Sequence, residues 1–338
     1  MSRDNGRRGS ALLTVLWLGA ALSAIALAVS LKARTEIERS SSAVEAARAR
    51  MLANGAAERA LAYVVYGLQG AYAWPDGRPR FWRPGMPYLR FRFQTGEAVV
   101  ELIPETSKLN VNRATAEELT LLAMAAGLPR SAAMQLAQAI IDWREPSPMG
   151  LLSPFDAIYL RRKPSFRAPH ASVQQIDELM NVAGMTPELF YGGWTRRPDG
   201  QLTQRPGLRD CLTVYAEPGR AMDINTVPIP ALIAAGAPPE AALALERLRS
   251  QRPVTPETFG AAAALLGPAA GRVRLGGDNV YTIRATARPY RPDRTLSDVR
   301  RTVAMTVQLY YKDSASATRI LAWQENAYPS PEVSVWIE

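Results

Sequence analysis

Twenty-one consecutive uncharged residues, Ala11 to Leu31, follow the basic border Arg7-Arg8-Gly9-Ser10. As an α-helix this run spans about 30 Å, the thickness of a bilayer's hydrocarbon core. Arg3, Asp4, Arg7 and Arg8 precede it, a charge distribution that keeps the short N-terminal leader in the cytoplasm and exports the rest. The run is longer than a signal-peptide core and lacks a small-x-small cleavage site. It continues through Lys32, Arg34, Glu36, Ile37 and Glu38 into helix-forming sequence, so it reads as a permanent anchor bounded by Ala11 and Leu31. Beyond it Val44, Ala47 and Met51, then Leu61 and Val65, recur at three- and four-residue steps. This stripe predicts a continuous amphipathic helix, residues 10–70, that offers one face to packing and to partner helices. Asn54-Gly55 weakens its middle by ~1 kcal/mol.

The period then changes from helix to strand. Leu89, Phe91 and Phe93 alternate with arginine and glutamine, Val100 and Leu102 flank Glu101, and Thr95-Gly96 supplies a turn, which predicts a hairpin. Alternation returns at Tyr281, Ile283 and Ala285, at Val303 to Leu309, and at Ile320 to Trp323. Between them lies a helical, proline-broken block. The order predicts an α+β protein: leader 1–9, transmembrane and spine helix 10–70, a first part of an antiparallel sheet 71–105, a helical insertion 106–275, and the remaining strands 276–338. The insertion carries a weak repeat. Leu109-Asn110-Val111-Asn112 and Ile224-Asn225-Thr226-Val227 each lead into a pair of alanine-rich helices with one glycine at the bend, which predicts two hairpin lobes.

Composition narrows the chemistry. The formal charge is +9, of which the leader supplies a net +2, and the excess is arginine with only four lysines. Cys211 is the one cysteine, so no internal disulfide forms, and His170 is the one histidine, which excludes any mechanism needing two. There is no glycine-rich phosphate loop and no GxSxG. His170, in Arg167-Ala168-Pro169-His170, reads as a surface turn residue, and Glu117-Glu118 as acids at a helix start. Nothing here indicates an enzyme.

Several stretches resemble a known family. Gly9-Ser10 at the charge border is similar to a type IV prepilin leader. Ser107-Lys108-Leu109-Asn110-Val111-Asn112, Ala139-Ile140-Ile141-Asp142-Trp143-Arg144, Glu178-Leu179-Met180-Asn181-Val182-Ala183-Gly184-Met185, Leu212-Thr213-Val214-Tyr215, Asp223-Ile224-Asn225-Thr226 and Leu321-Ala322-Trp323 resemble, in order, the motifs of general secretion pathway protein K, the minor pseudopilin of the type II secretion system. The resemblance implies a pseudopilin fold with a SAM-like helical insertion. It also implies prepilin peptidase as a partner, cleavage between Gly9 and Ser10, and methylation of the Ser10 amine. Thr14 stands where pilins usually have glutamate, which suits the end of a filament.

The same resemblance implies an inner-membrane, mainly periplasmic subunit. It would cap a pseudopilus tip with other minor pseudopilins, with secreted substrates and the secretin as further contacts. The family often binds calcium in an acidic loop after the Asp-Trp pair. Here most of those acids are missing, and Asp142, Glu145 and Asp156 are left as candidate ligands of a degraded site. The rival reading is a membrane-anchored helix-hairpin-helix DNA-binding protein. Its hairpins, Ala126-Gly127-Leu128-Pro129 and Ala235-Gly236-Ala237-Pro238-Pro239, carry one glycine each, and the prolines remove amide donors.

Overall fold

The structure, a computed structural model, describes residues 6–68, 82–147, 150–196, 200, 202–217, 219, 221–310 and 318–328. The first five leader residues, and the helix end expected at Tyr72 to Pro75, lie outside the described residues.

The chain begins with α1 (Gly6–Leu68), 63 residues without a proline and about 95 Å long at 1.5 Å per residue. From Leu12 to Val44 its side chains stand exposed; farther on, Ala49, Ala53, Ala56, Ala57, Ala60, Tyr63 and Val64 are buried. Those positions repeat at three and four residues, so the packed face is a run of alanines closed by a tyrosine. Small side chains let the helix lie close on the sheet, while the larger apolar groups come from the strands.

The hairpin β1 (Tyr88–Phe93) and β2 (Gly96–Pro104) follows, with Phe93 paired to Gly96 across the turn. A Cβ at Gly96 would lie 2.3 Å from the Arg288 carbonyl oxygen and 2.6 Å from the Leu52 side chain, so close approach requires glycine there. The lobe comes next. Its elements are β3 (Leu109–Asn110), α2 (Ala116–Ala125), α3 (Arg130–Arg144), α4 (Asp156–Leu160), α5 (Pro187–Tyr191), β4 (Gly193–Arg196), β5 (Leu202–Arg205), α6 (Leu208–Cys211), β6 (Leu212–Thr213), β7 (Met222–Asp223), α7 (Ile229–Ala234), α8 (Pro239–Gln251), α9 (Pro256–Ala264) and β8 (Val273–Arg274). The chain then returns to the sheet as β9 (Val280–Pro289), β10 (Arg301–Leu309) and β11 (Thr318–Gln324).

The main sheet runs β1-β2-β9-β10-β11, antiparallel throughout. Cross-strand pairs Val100↔Ala285, Leu102↔Ile283 and Ile283↔Met305 put one apolar face under α1. Tyr63 stacks on Phe91 at 5.7 Å, and the Arg59 guanidinium lies 4.8 Å over the same ring. The fold is therefore α+β, a long, N-terminally apolar helix laid by its C-terminal part on an antiparallel sheet whose halves are separated in sequence by the lobe.

The two helical pairs of the lobe share one hydrophobic core, from Leu119 and Leu136 through Tyr159 and Phe190 to Leu232 and Leu245. They form a single body, not two. The weak sequence repeat reappears in their hydrogen bonds. Asn112 clamps Val173, donating to its carbonyl at 2.9 Å and accepting from its amide at 2.8 Å; Asn225 clamps Val254 in the same way, both at 2.8 Å. At the far end of each pair an arginine reaches back to the asparagine turn, Arg144 to the Val111 carbonyl and Arg249 to those of Ile224 and Val227. A two-stranded parallel bridge, β3–β6 and β7–β8, opens each unit.

Candidate assembly surfaces

Gly9, Ser10 and the span from Ala11 to Leu31 belong to one uninterrupted helix, α1. Among the described residues α1 is the one helix long and apolar enough to cross a membrane. The stripe read from the sequence divides in two. Leu61 and Val65 pack against the sheet core at its edge, whereas Val44, Ala47 and Met51 are exposed, Met51 by 74 %. Met51 lies about 160° round the helix from Ala53 at 100° per residue, so the exposed part of the stripe lies opposite the packed face and does not form it.

On the Arg50 side of α1 the sheet extends beyond its helix. Ile320 pairs with Val307 and Trp323 with Met305, so both point to the side that α1 covers elsewhere. Here they are 54 % and 39 % exposed. Arg50 of α1 meets Glu325 at 3.1 Å along the same border. Ile320 and Trp323 were read from the sequence only as strand positions; their exposure follows from β11 being the edge.

Sheet and lobe are joined by a buried carboxylate that the sequence reading missed. Glu105, just past β2, accepts from Lys108 Nζ and from Thr282 Oγ1 of β9, each at 2.6 Å, and from Thr213 Oγ1 of β6. Burial alone would raise its pKa. The Lys108 charge and the hydrogen bonds from Lys108, Thr213 and Thr282 outweigh that and hold it below the usual carboxylate range. On the sheet's outer edge, Arg209 Nη2 donates to Gln324 Oε1 at 2.9 Å, so the lobe is tied to β11 as well.

The candidate metal ligands border the loop after α3: Asp142 in the last turn of that helix, Glu145 just past it and Asp156 at the start of α4. Asp156 and Asp142 meet through Ser153, whose hydroxyl donates to Asp142 Oδ2 at 2.9 Å and accepts the Asp156 amide at 3.1 Å. Glu145 takes no part; its nearest cation is Arg144, at 3.6 Å. His170 overturns the expectation of a surface turn residue. Its backbone does turn, with φ +45°, but the ring goes inward. Nδ1 lies 2.9 Å from the Asp142 carbonyl and Nε2 lies 3.1 Å from Asp156 Oδ2. Burial opposes the imidazolium, but the Asp156 and Asp142 hydrogen bonds prevail and raise the His170 pKa. Burial would likewise raise that of Asp156, yet His170 and the Ser153 and Ala168 amides lower it. Among the described residues no three carboxylate, imidazole or thiol groups gather as a metal cage.

The helical bends bear on nucleic acid. Gly127 and Gly236 both adopt left-handed backbone, φ +101° and +100°. Their amides turn inward: Gly127 donates to Met124 and Leu128 to Ala123, and Gly236 donates to Ile233 and Ala237 to Leu232. These bonds cap α2 and α7. With Pro129, Pro238 and Pro239 following, the bends lack the free amides that would cradle a phosphate.

Residues 99–191, from β2 to the end of α5, match the model of the family described as Type II secretion system (T2SS), protein K. The resemblance to protein K seen in the motifs thus holds as a family match over that stretch. The chain is also similar to the crystal structure of the GspK-GspI-GspJ complex from the enterotoxigenic Escherichia coli Type 2 Secretion System. That likeness has 16 % identity and a TM-score of 0.48, and covers 88 % of this chain and 100 % of that one. No curated protein matches the chain.

Proposed function

We propose that the chain is a minor pseudopilin of protein K type, a structural subunit that caps the tip of a type II secretion pseudopilus and assists export of folded proteins across the outer membrane. The observation that carries this reading is the protein K match over residues 99–191 on a chain whose sheet is built under a membrane-length helix. In this reading α1 anchors the protein in the inner membrane with the leader inside. Prepilin peptidase cuts between Gly9 and Ser10, the new amine is methylated, and Thr14 leaves no carboxylate for a subunit below. Other minor pseudopilins dock on the exposed face of α1 and on the lobe. A body as broad as the single-core lobe does not stack along a thin shaft, which favours an end position. The test is co-expression of the full chain with prepilin peptidase and the other minor pseudopilins from the same source. Membrane-extracted protein should begin at methylated Ser10 and co-purify with those subunits. A mature start beyond Leu31, or failure to capture any of them, refutes the reading.

A further inference from the structure

We infer that His170 does the structural work of an ion in the loop after α3, cross-linking the end of that helix to Asp156, so that the loop closes without calcium. The protein K resemblance implies calcium here, and the donor set does not fit it. Calcium takes about six to eight oxygens. Asp156 is fully buried, and its oxygens already accept from three donors: the Ala168 amide at 3.2 Å on Oδ1, and the Ser153 amide and His170 Nε2, both at 3.1 Å, on Oδ2. The Asp142 carboxylate accepts from the Ser153 hydroxyl, and the Asp142 carbonyl faces His170 Nδ1. A second base, Arg167, lies 4.0 Å from Asp156 Oδ2. An entering ion would have to displace hydrogen-bond donors from these oxygens and face two basic side chains.

The histidine is well placed for the part. A backbone carbonyl can only accept, so Nδ1 carries a proton, and the carboxylate takes the other ring nitrogen as donor. The carbonyl belongs to the last turn of α3, where a positively polarised group satisfies both the orphaned oxygen and the helix dipole. Left-handed backbone at a non-glycine residue turns the ring inward, leaving the side chain 12 % exposed. One imidazole thereby joins α3, α4 and the 166–170 segment, which is the bridging task a loop ion performs.

Because His170 is the only histidine, labelling the full chain with ¹⁵N-histidine gives one signal for each ring nitrogen. In detergent micelles, millimolar calcium should move neither signal, and the unfolding temperature should be the same in calcium and in EGTA. A calcium-dependent displacement of either signal, or a higher unfolding temperature in calcium, overturns the inference. His170→Ala should make limited proteolysis between residues 150 and 170 roughly tenfold faster, with His170→Gln intermediate because its amide keeps one bond; unchanged cleavage in His170→Ala also overturns it. The measurement on the unaltered chain decides the matter even where a variant folds poorly. None of these outcomes depends on pseudopilus assembly.

Discussion

Removing the Glu105 carboxylate should loosen the joint between sheet and lobe more than any change at the surface. Glu105 is 3 % exposed and its partner Lys108 is 14 % exposed. Glu105→Ala would leave a nearly buried ammonium, and the Thr213 and Thr282 hydroxyls, without their acceptor. Breaking such a pair by truncating one side costs about 3–5 kcal/mol. The residual exposure of Lys108 lets water reach it, so a loss of about 3 kcal/mol is expected. Glu105→Gln keeps an acceptor for the hydroxyls and should cost roughly half as much. In the double variant Glu105→Ala/Lys108→Ala no charge is stranded, and the loss should fall short of the summed singles by roughly 1–3 kcal/mol.

The pH dependence carries a definite sign. A carboxyl held below its unfolded pKa contributes stability that is fully present above that pKa, about 4.3, and is lost as pH falls through the folded-state value. The gap between the unaltered chain and Glu105→Ala should therefore be constant from neutral pH down to about 5 and narrow below about 4. Urea unfolding of the full chain in detergent, followed at several pH values, reads both quantities. A loss under about 1 kcal/mol at neutral pH, or a gap that widens in acid, would show that the joint is held by something else.

Four other substitutions probe neighbouring parts of the structure. Met51→Glu should leave unfolding unchanged while weakening capture of partner pseudopilins, whereas Leu61→Glu should lower stability because Leu61 packs on the sheet core; equal stability losses in the two would deny the division of the stripe. Gly96→Ala forces a methyl against the Arg288 carbonyl oxygen and should cost about 1–3 kcal/mol in urea unfolding, where a neutral result would contradict the close approach. Asn225→Ala strips Val254 of its amide and carbonyl partners and should cost about 1–3 kcal/mol, with amide exchange at Val254 accelerated; protection that survives would mean the clamp is dispensable.

The parts of this fold that were legible in the sequence are those written by local period. Val303, Met305, Val307 and Leu309 alternate cleanly and form β10, and Leu89 and Phe91 face the helix from β1. The candidate membrane span is legible from length and lack of charge. The packed face of α1 was misjudged for a physical reason. Its buried residues are mostly alanines, whose pattern is faint beside Val44 and Met51, which are larger and lie outward. Glu105 was silent because its partners are three, 108 and 177 positions away, so no spacing marks it. His170 was misplaced for the same reason: Asp156 and Asp142 are 14 and 28 residues distant, and a lone histidine after proline looks like a turn. The inward ring direction depends on a left-handed backbone that local composition does not announce. The repeat was visible as two asparagine turns, but its shared core follows from packing between α2 and α7, which no local pattern encodes.

The proline-free continuity of α1 has a mechanical meaning. A push on the folded body, or a pull on the apolar N-terminal end, travels along one rod and arrives at the sheet as shear. In the alanine half of the contact the helix grips the sheet at Leu52, close on Gly96, and through the Arg50–Glu325 pair. Farther along, the Tyr63 ring interlocks with Phe91 under Arg59, and Trp82 seats closely over Gly67. The last two sit at the end of the rod farthest from the apolar span. Axial load therefore leaves the helix in steps along the contact, and not at a single point.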